Sequence, residues 1–223
     1  MLFPGGQAHL EMTDPEHPAE TGIEVVAQPR GKRITKMTLM SGGEKSLTAL
    51  ALLFAVYKTR TVPFYVLDEV EAALDDSNLS KLLDAIDVLR KSTQLLVVSH
   101  QRRTMEDADV LYGVSMGAAT VMMASGEADL PVQVRCVIED CGYTSVWDEF
   151  SGQLKELFGL PPFPVLNAAD LVCRIRAGYS ITEASALRQV ERSVTPALFI
   201  HGEEDTFVPF WMLEELYQAA SCE

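Results

Sequence analysis

The sequence predicts an α/β fold built as two incomplete lobes that meet near Gly113. Two observations carry this expectation. Apolar runs of strand length, closed by polar or acidic residues, alternate with stretches of helical periodicity. The charge balance also changes along the chain: residues 1–112 hold 12 basic and 16 acidic residues (−4), and residues 113–223 hold 6 and 16 (−10). All four cysteines (Cys136, Cys141, Cys173, Cys222) fall in the second stretch. The expected lobes are therefore 1–112 and 113–223.

In the first lobe, "LMSGGEKSLTALALLFAVYK" places a Ser41-Gly42-Gly43-Glu44 turn before an apolar helix in which Leu47, Leu50, Ala51 and Phe54 share a face. Glycines let a backbone approach a ligand, and the free N–H groups of a first helical turn suit an anion. Ser41 equally reads as an N-cap whose capping box Glu44 completes. The β-branched and aromatic run Val62–Leu67 is expected as a buried strand that ends in Asp68-Glu69. Paired carboxylates at a strand's C-terminal end suit magnesium-nucleotide chemistry, or are two solvated charges at a strand exit. "ALDDSN" then opens a helix carrying Leu79, Leu82, Leu83, Ile86 and Leu89. Leu95–Val98 is a second strand, ending in Ser99-His100, and Val110–Val114 is expected as the last strand of this lobe.

In the second lobe, Gly113-Val114-Ser115-Met116-Gly117 has the G-x-S-x-G form of a nucleophile elbow, which requires a strand before it and a helix after it. "AATVMMASGE" supplies that helix. Ala118 and Ala119 allow close packing, Val121, Met122 and Met123 face a core, and Gly126 is placed to stop the helix. Further strands are expected at Val134–Ile138 and Ala197–His201, the last followed by an acidic turn and a helix.

The composition, 48% apolar in 223 residues, is that of a globular chain with enough material for a core. A net charge of −14 argues against binding DNA through bulk electrostatics, so a nucleic-acid role would be indirect or shared with a partner. The longest apolar run, "LTALALLFAV", is too short to cross a bilayer, and "MLFPGGQAHLEM" lacks the form of a signal peptide, so no membrane role and a cytoplasmic location are expected. The cysteines have no zinc-ligand spacing and read as reduced thiols.

Residues 1–116, through "LMSGGEKS", "FYVLDE", "ALDD" and "VVSHQ", closely resemble the C-terminal ATPase head lobe of bacterial SMC chromosome-condensation proteins, relatives of ABC-type ATPases. The resemblance implies ATP and Mg²⁺ as ligands. It makes the first motif the signature, with Ser41, Gly42 and Gly43 lying against ATP held by a second, opposite head through Ser41 and Gly43. It makes the second motif Walker B, with Asp68 holding Mg²⁺ through water and Glu69 as catalytic base. Asp75 becomes the D-loop residue, and His100 the switch histidine that senses the γ-phosphate. No P-loop is present: the sole Gly-Lys pair, Gly31-Lys32, has Val26 where the first glycine belongs. An ATPase site is therefore expected only with an N-terminal head lobe supplied in trans. "FPGGQAHLEM" resembles the interior of such a head lobe.

Residues 111–223, with "DCGYTS" and "HGEEDTFVP", resemble part of a bacterial α/β-hydrolase family of esterase- or peptidase-like serine hydrolases. That resemblance implies Ser115 as nucleophile, the Met116 N–H as part of an oxyanion hole and Asp205 as triad acid. The four histidines are His9, His17, His100 and His201, and none follows Asp205 as the family's order requires. Without a base the hydroxyl is a poor nucleophile, so this lobe is expected to be inactive. The two resemblances meet at "GVSM" with no linker between them. The chain is therefore expected to be a chimera joined at a shared tetrapeptide, by recombination or by misassembly of reads. A gene product with no independent activity is the third functional alternative.

Overall fold

The computed structural model describes residues 5–28, 33, 35–59 and 62–221; Met1, Gly31, Lys32 and Cys222 lie outside them. The expected α/β class holds, with small sheets and flanking helices. The chain divides into two compact units, Met1–Thr104 and Met105–Glu223, a boundary that falls ahead of Gly113.

The first unit opens with an antiparallel sheet of β1 (Gln7–Met12), β2 (Ile23–Gln28) and the short β3 (Thr35–Lys36). Then come α1 (Gly42–Thr59), β4 (Phe64–Asp68), α2 (Asp76–Arg90) and β5 (Gln94–Val98), with α3 (Arg102–Glu106) crossing the boundary. β4 and β5 pair in parallel, Phe64 against Gln94 through Asp68 against Val98. Leu47, Leu50 and Phe54 of α1 repeat at helical spacing, as do Leu82, Ala85 and Leu89 of α2, and both stripes close on Leu67 of β4 in one buried cluster. Each buried leucine there stabilises the unit by roughly 2 kcal/mol. The opposite face of the strand pair is apolar and uncovered: Phe64, Val66, Leu96 and Val98 are about half exposed.

The second unit holds β6 (Val110–Val114), α4 (Met116–Ser125), β7 (Cys136–Asp140), α5 (Val146–Phe158), α6 (Pro162–Ala177), α7 (Ala186–Val190), β8 (Ala197–Ile200) and α8 (Trp211–Ala219). Its sheet is parallel with order β6-β7-β8. Met122 of α4 packs with Ala186 and Val190 of α7 and Leu216 of α8. The segment expected to close the first lobe, Val110–Val114, is hydrogen-bonded to β7, Val110 opposite Cys136. The physical reason is its continuity with α4, which lies so close that a Cβ on Gly113 would stand 2.2 Å from the Gly117 carbonyl oxygen.

Other expected strands shift by a residue or two. Val134–Ile138 becomes Cys136–Asp140, Ala197–His201 ends at Ile200, and Val62–Leu67 runs from Phe64 to Asp68. Gly126 does cap α4, but with φ −91° rather than in a left-handed turn. Its need for glycine is contact, since a Cβ would lie 2.4 Å from the Gln189 carbonyl oxygen. Among the described residues no helix is long and apolar enough to cross a membrane.

Candidate functional site

Three non-glycine residues have positive φ among those described, and each directly follows a parallel strand: Glu69 after β4 (φ 44°), Ser115 after β6 (φ 53°) and Cys141 after β7 (φ 50°). Non-glycine backbones reach this region at a cost of about 1–3 kcal/mol, and such residues cluster at functional sites. Two of the three were singled out by the sequence motifs.

In the first unit, β4 delivers Asp68 to solvent and the chain turns sharply at Glu69, whose N–H donates to the Val98 carbonyl of β5 at 2.9 Å. That bond extends the strand pairing by one step and brings the two strand ends together. Glu69 Oε1 then lies 3.3 Å from His100 Nδ1, both side chains more than half exposed. Beneath this pair, Glu71 is 3% exposed and accepts a hydrogen bond from the Ser99 hydroxyl. The Ser99 oxygen in turn accepts the Gln101 N–H at 2.9 Å. The sequence motifs do not single out the Glu71–Ser99 link; Glu71 stands between Val70 and Ala72, outside all of them.

Ser41, Gly42 and Gly43 lead into α1. The Ser41 hydroxyl donates to Glu44 Oε2 at 2.8 Å and its N–H reaches the same oxygen at 3.3 Å, so Glu44 supplies its half of a capping box. A Cβ on Gly43 would meet Asn78 Nδ2 at 3.3 Å, which places this turn against the start of α2. There Asp75 is the N-cap, its Oδ1 accepting the Asn78 N–H at 2.8 Å. Arg103 donates to the Asp76 carbonyl at 3.4 Å and to the Ser80 hydroxyl at 3.0 Å, holding the same helix end.

These groups suit part of a magnesium-nucleotide site. Asp68 and Glu69 are exposed carboxylates, and Gly42 leaves open space where a side chain would stand. Among the described residues no three His, Cys, Asp or Glu side chains gather as a metal cage.

In the second unit, Ser115 adopts φ 53° and ψ −115° between β6 and α4, the strained turn that a nucleophile elbow needs, with its N–H donated to the Asp140 carbonyl at 2.8 Å. Asp205 is engaged locally. Its Oδ1 accepts the N–H groups of Phe207 at 2.8 Å and Val208 at 3.0 Å, and Oδ2 lies 3.8 Å from His201 Nε2. That histidine is fully buried, and its Nε2 must carry the proton because it faces the Val208 carbonyl at 2.8 Å. His201 Nδ1 is buried without a partner. Glu139, in the middle strand and fully buried, accepts the Gly142 N–H at 2.9 Å, and burial pushes its carboxyl up to about 7. Desolvation likewise raises the Cys141 thiol and the Glu149 carboxyl.

In the first unit, then, paired acids and an imidazole stand at the C-terminal ends of two parallel strands, and a glycine turn at the start of α1 lies against the start of α2. Residues 22–122 match the RecF/RecN/SMC N terminal domain family. The chromosome partition protein Smc of Mycolicibacterium paratuberculosis is 55% identical over 116 residues, which is 52% of this chain and 10% of that protein. The chain thus spans about a tenth of the length of the curated relatives it matches. A structure from work on ATP-driven dimerization and DNA-stimulated activation of SMC ATPases is 42% identical and covers 48% of this chain and 65% of its own, with a TM-score of 0.44. An acylaminoacyl peptidase of Pyrococcus horikoshii is 16% identical over 63% of this chain and 20% of its own, with a TM-score of 0.37.

Proposed function

We propose that residues 1–112 are the C-terminal half of an SMC-type ATP-binding and hydrolysing head that serves chromosome condensation and partition, competent only with an N-terminal lobe carrying the P-loop. The convergence of Glu69 and His100 beside Asp68 carries this reading. Similarity to chromosome partition proteins over half the chain supports it. When bound, Mg²⁺ would neutralise charge on the phosphates. The chain's own residues divide the rest of the work. Asp68 would hold the hydrated metal, Glu69 would accept the proton of the attacking water, and His100 would lie against the γ-phosphate. Ser41 and Gly43 face the nucleotide of a second head, with Asp75 beside them. The partners are thus an N-terminal head lobe and a second head, the location is cytoplasmic, and DNA is engaged only through the assembly.

The test is ATP turnover by the full chain with and without a separately produced N-terminal SMC head lobe. Stimulation by the lobe that disappears in Glu69→Gln is expected; no stimulation refutes the reading.

The strained turn at Ser115 favours one further reading, that residues 113–223 are a serine-hydrolase fragment inactive for want of a base. Labelling by a fluorophosphonate probe at background level, unchanged in Ser115→Ala, is its expected signature. Strong labelling that Ser115→Ala abolishes would show an active hydrolase instead. The two readings make the chain a chimera joined at "GVSM", and amplification across that seam from source DNA tests the join.

A further inference from the structure

We propose that Glu71 is the positioning residue of His100, acting through the Ser99 hydroxyl to fix the imidazole against Glu69. A solvent-exposed acid–imidazole contact is worth at most about 1 kcal/mol and does not hold an exposed ring in one orientation. Both side chains of the Glu69–His100 pair are more than half exposed, so the order at this site must come from beneath it.

The structure supplies that anchor. Glu71 is buried at 3% exposure, and its Oε1 accepts from Ser99, whose oxygen accepts the Gln101 N–H at 2.9 Å. The hydroxyl thus serves as donor and acceptor at once, and His100 is the residue it straddles. On the acid side, Ala72 N–H bonds the Glu69 carbonyl at 3.0 Å and Leu74 N–H the Glu71 carbonyl at 2.9 Å, so the carboxylate projects from a closed turn. Removing Ser99 would strand a buried carboxylate and free a backbone N–H, and an unsatisfied buried acceptor is expensive. The turn would be expected to rearrange rather than tolerate this.

The functional meaning of this clamp rests on the nucleotide-hydrolysis reading of Glu69 and His100. The experiment reads the free protein without nucleotide, so failure of turnover and failure of positioning are separate observations. Facing a carboxylate, His100 Nδ1 must be the protonated nitrogen.

Two-bond ¹H–¹⁵N correlation on the labelled full chain, at about pH 8.5 where a free imidazole is neutral, distinguishes the tautomers. His100 is identified by its loss in His100→Gln. The expected result is the Nδ1–H form in the unaltered protein. Ser99→Ala and Glu71→Ala should pass to the Nε2–H form favoured by an unrestrained ring, while Glu71→Gln, whose amide oxygen can still accept from Ser99, keeps the Nδ1–H form. An Nε2–H ring in the unaltered protein overturns the proposal, as does an Nδ1–H ring retained in either alanine variant with a native amide spectrum. Should Glu71→Ala fail to fold, Ser99→Ala decides alone, since it removes only a hydroxyl.

Discussion

His100 Nδ1 lies 3.3 Å from Glu69 Oε1, a contact between residues 31 positions apart that the pairing of β4 with β5 produces at its C-terminal end. If Glu69 is the proton acceptor for an attacking water, Glu69→Gln keeps the side chain's shape and loses its basicity. In a head completed by an N-terminal lobe, kcat should fall about 100-fold or more while KM for ATP changes little. Steady-state turnover over a range of ATP concentrations checks this, and a rise in KM at constant kcat would assign Glu69 to binding.

Asp75 combines a structural and a proposed functional role, and the two separate experimentally. As N-cap of α2 it accepts the Asn78 N–H, so Asp75→Ala should cost about 1 kcal/mol of stability, and Asp75→Ser, another good cap, much less. Urea unfolding followed by circular dichroism measures that difference. If Asp75 also faces nucleotide across a head pair, Asp75→Ser should restore stability without restoring turnover.

What could be read from the sequence differs between these features for physical reasons. β4, β5 and β6 were legible because each is a short apolar run stopped by polar residues or glycine, and α1 and α2 because their leucines repeat at helical spacing. Which strand β6 joins was not legible: Leu111 and Gly113 suit a covered face in either sheet, and pairing depends on residues far along the chain. Asp68, Glu69 and His100 stood out by motif, whereas Glu71 did not. Its burial arises only when the turn after β4 folds against Ser99, a residue 28 positions away, and the short Val70-Glu71-Ala72 stretch has no strand or helix period that would place the acid inside. Glu139 carried a readable signal, since alternation along "CVIED" places it on the same face as Val137.

Gly113 makes a sharper demand than a flexible turn would. A Cβ there would stand 2.2 Å from the Gly117 carbonyl oxygen and 2.6 Å from the Ala118 nitrogen, both backbone atoms that no rotamer change can move. Gly113→Ala should therefore destabilise the second unit by about 3 kcal/mol or more, whereas Gly117→Ala, with no atom within 4 Å of the added Cβ, should be tolerated. Both tryptophans, Trp147 and Trp211, lie in this unit, so their emission during urea unfolding reports it directly. An unchanged midpoint for Gly113→Ala would mean that β6 and α4 are not packed as described.

The buried carboxyl of Glu139 should make the second unit weaker as the solution becomes more alkaline. Its group is fully buried and raised from 4.5 to about 7, chiefly by desolvation, with the Gly142 N–H and the neighbouring His201 opposing the rise. Between those two values the folded chain binds more protons than the unfolded chain. Stability from this group is thus fully present below about pH 4.5, and is lost as pH rises through about 7. The loss should be of the order of 2 kcal/mol once relaxation around the charged form is allowed for. Glu149, raised by burial in the same direction, adds to the trend, while Asp170, whose carboxyl is lowered by its bond from the Ser180 hydroxyl, opposes it at the acid end. Glu139→Gln removes the titrating group but retains an oxygen for the Gly142 N–H, so it should flatten the pH dependence and raise stability at about pH 8 relative to the unaltered chain. Tryptophan-detected urea midpoints from about pH 5 to pH 8 measure both. A midpoint that climbs with pH, or a Glu139→Gln chain with the same slope as the parent, would place the controlling proton elsewhere.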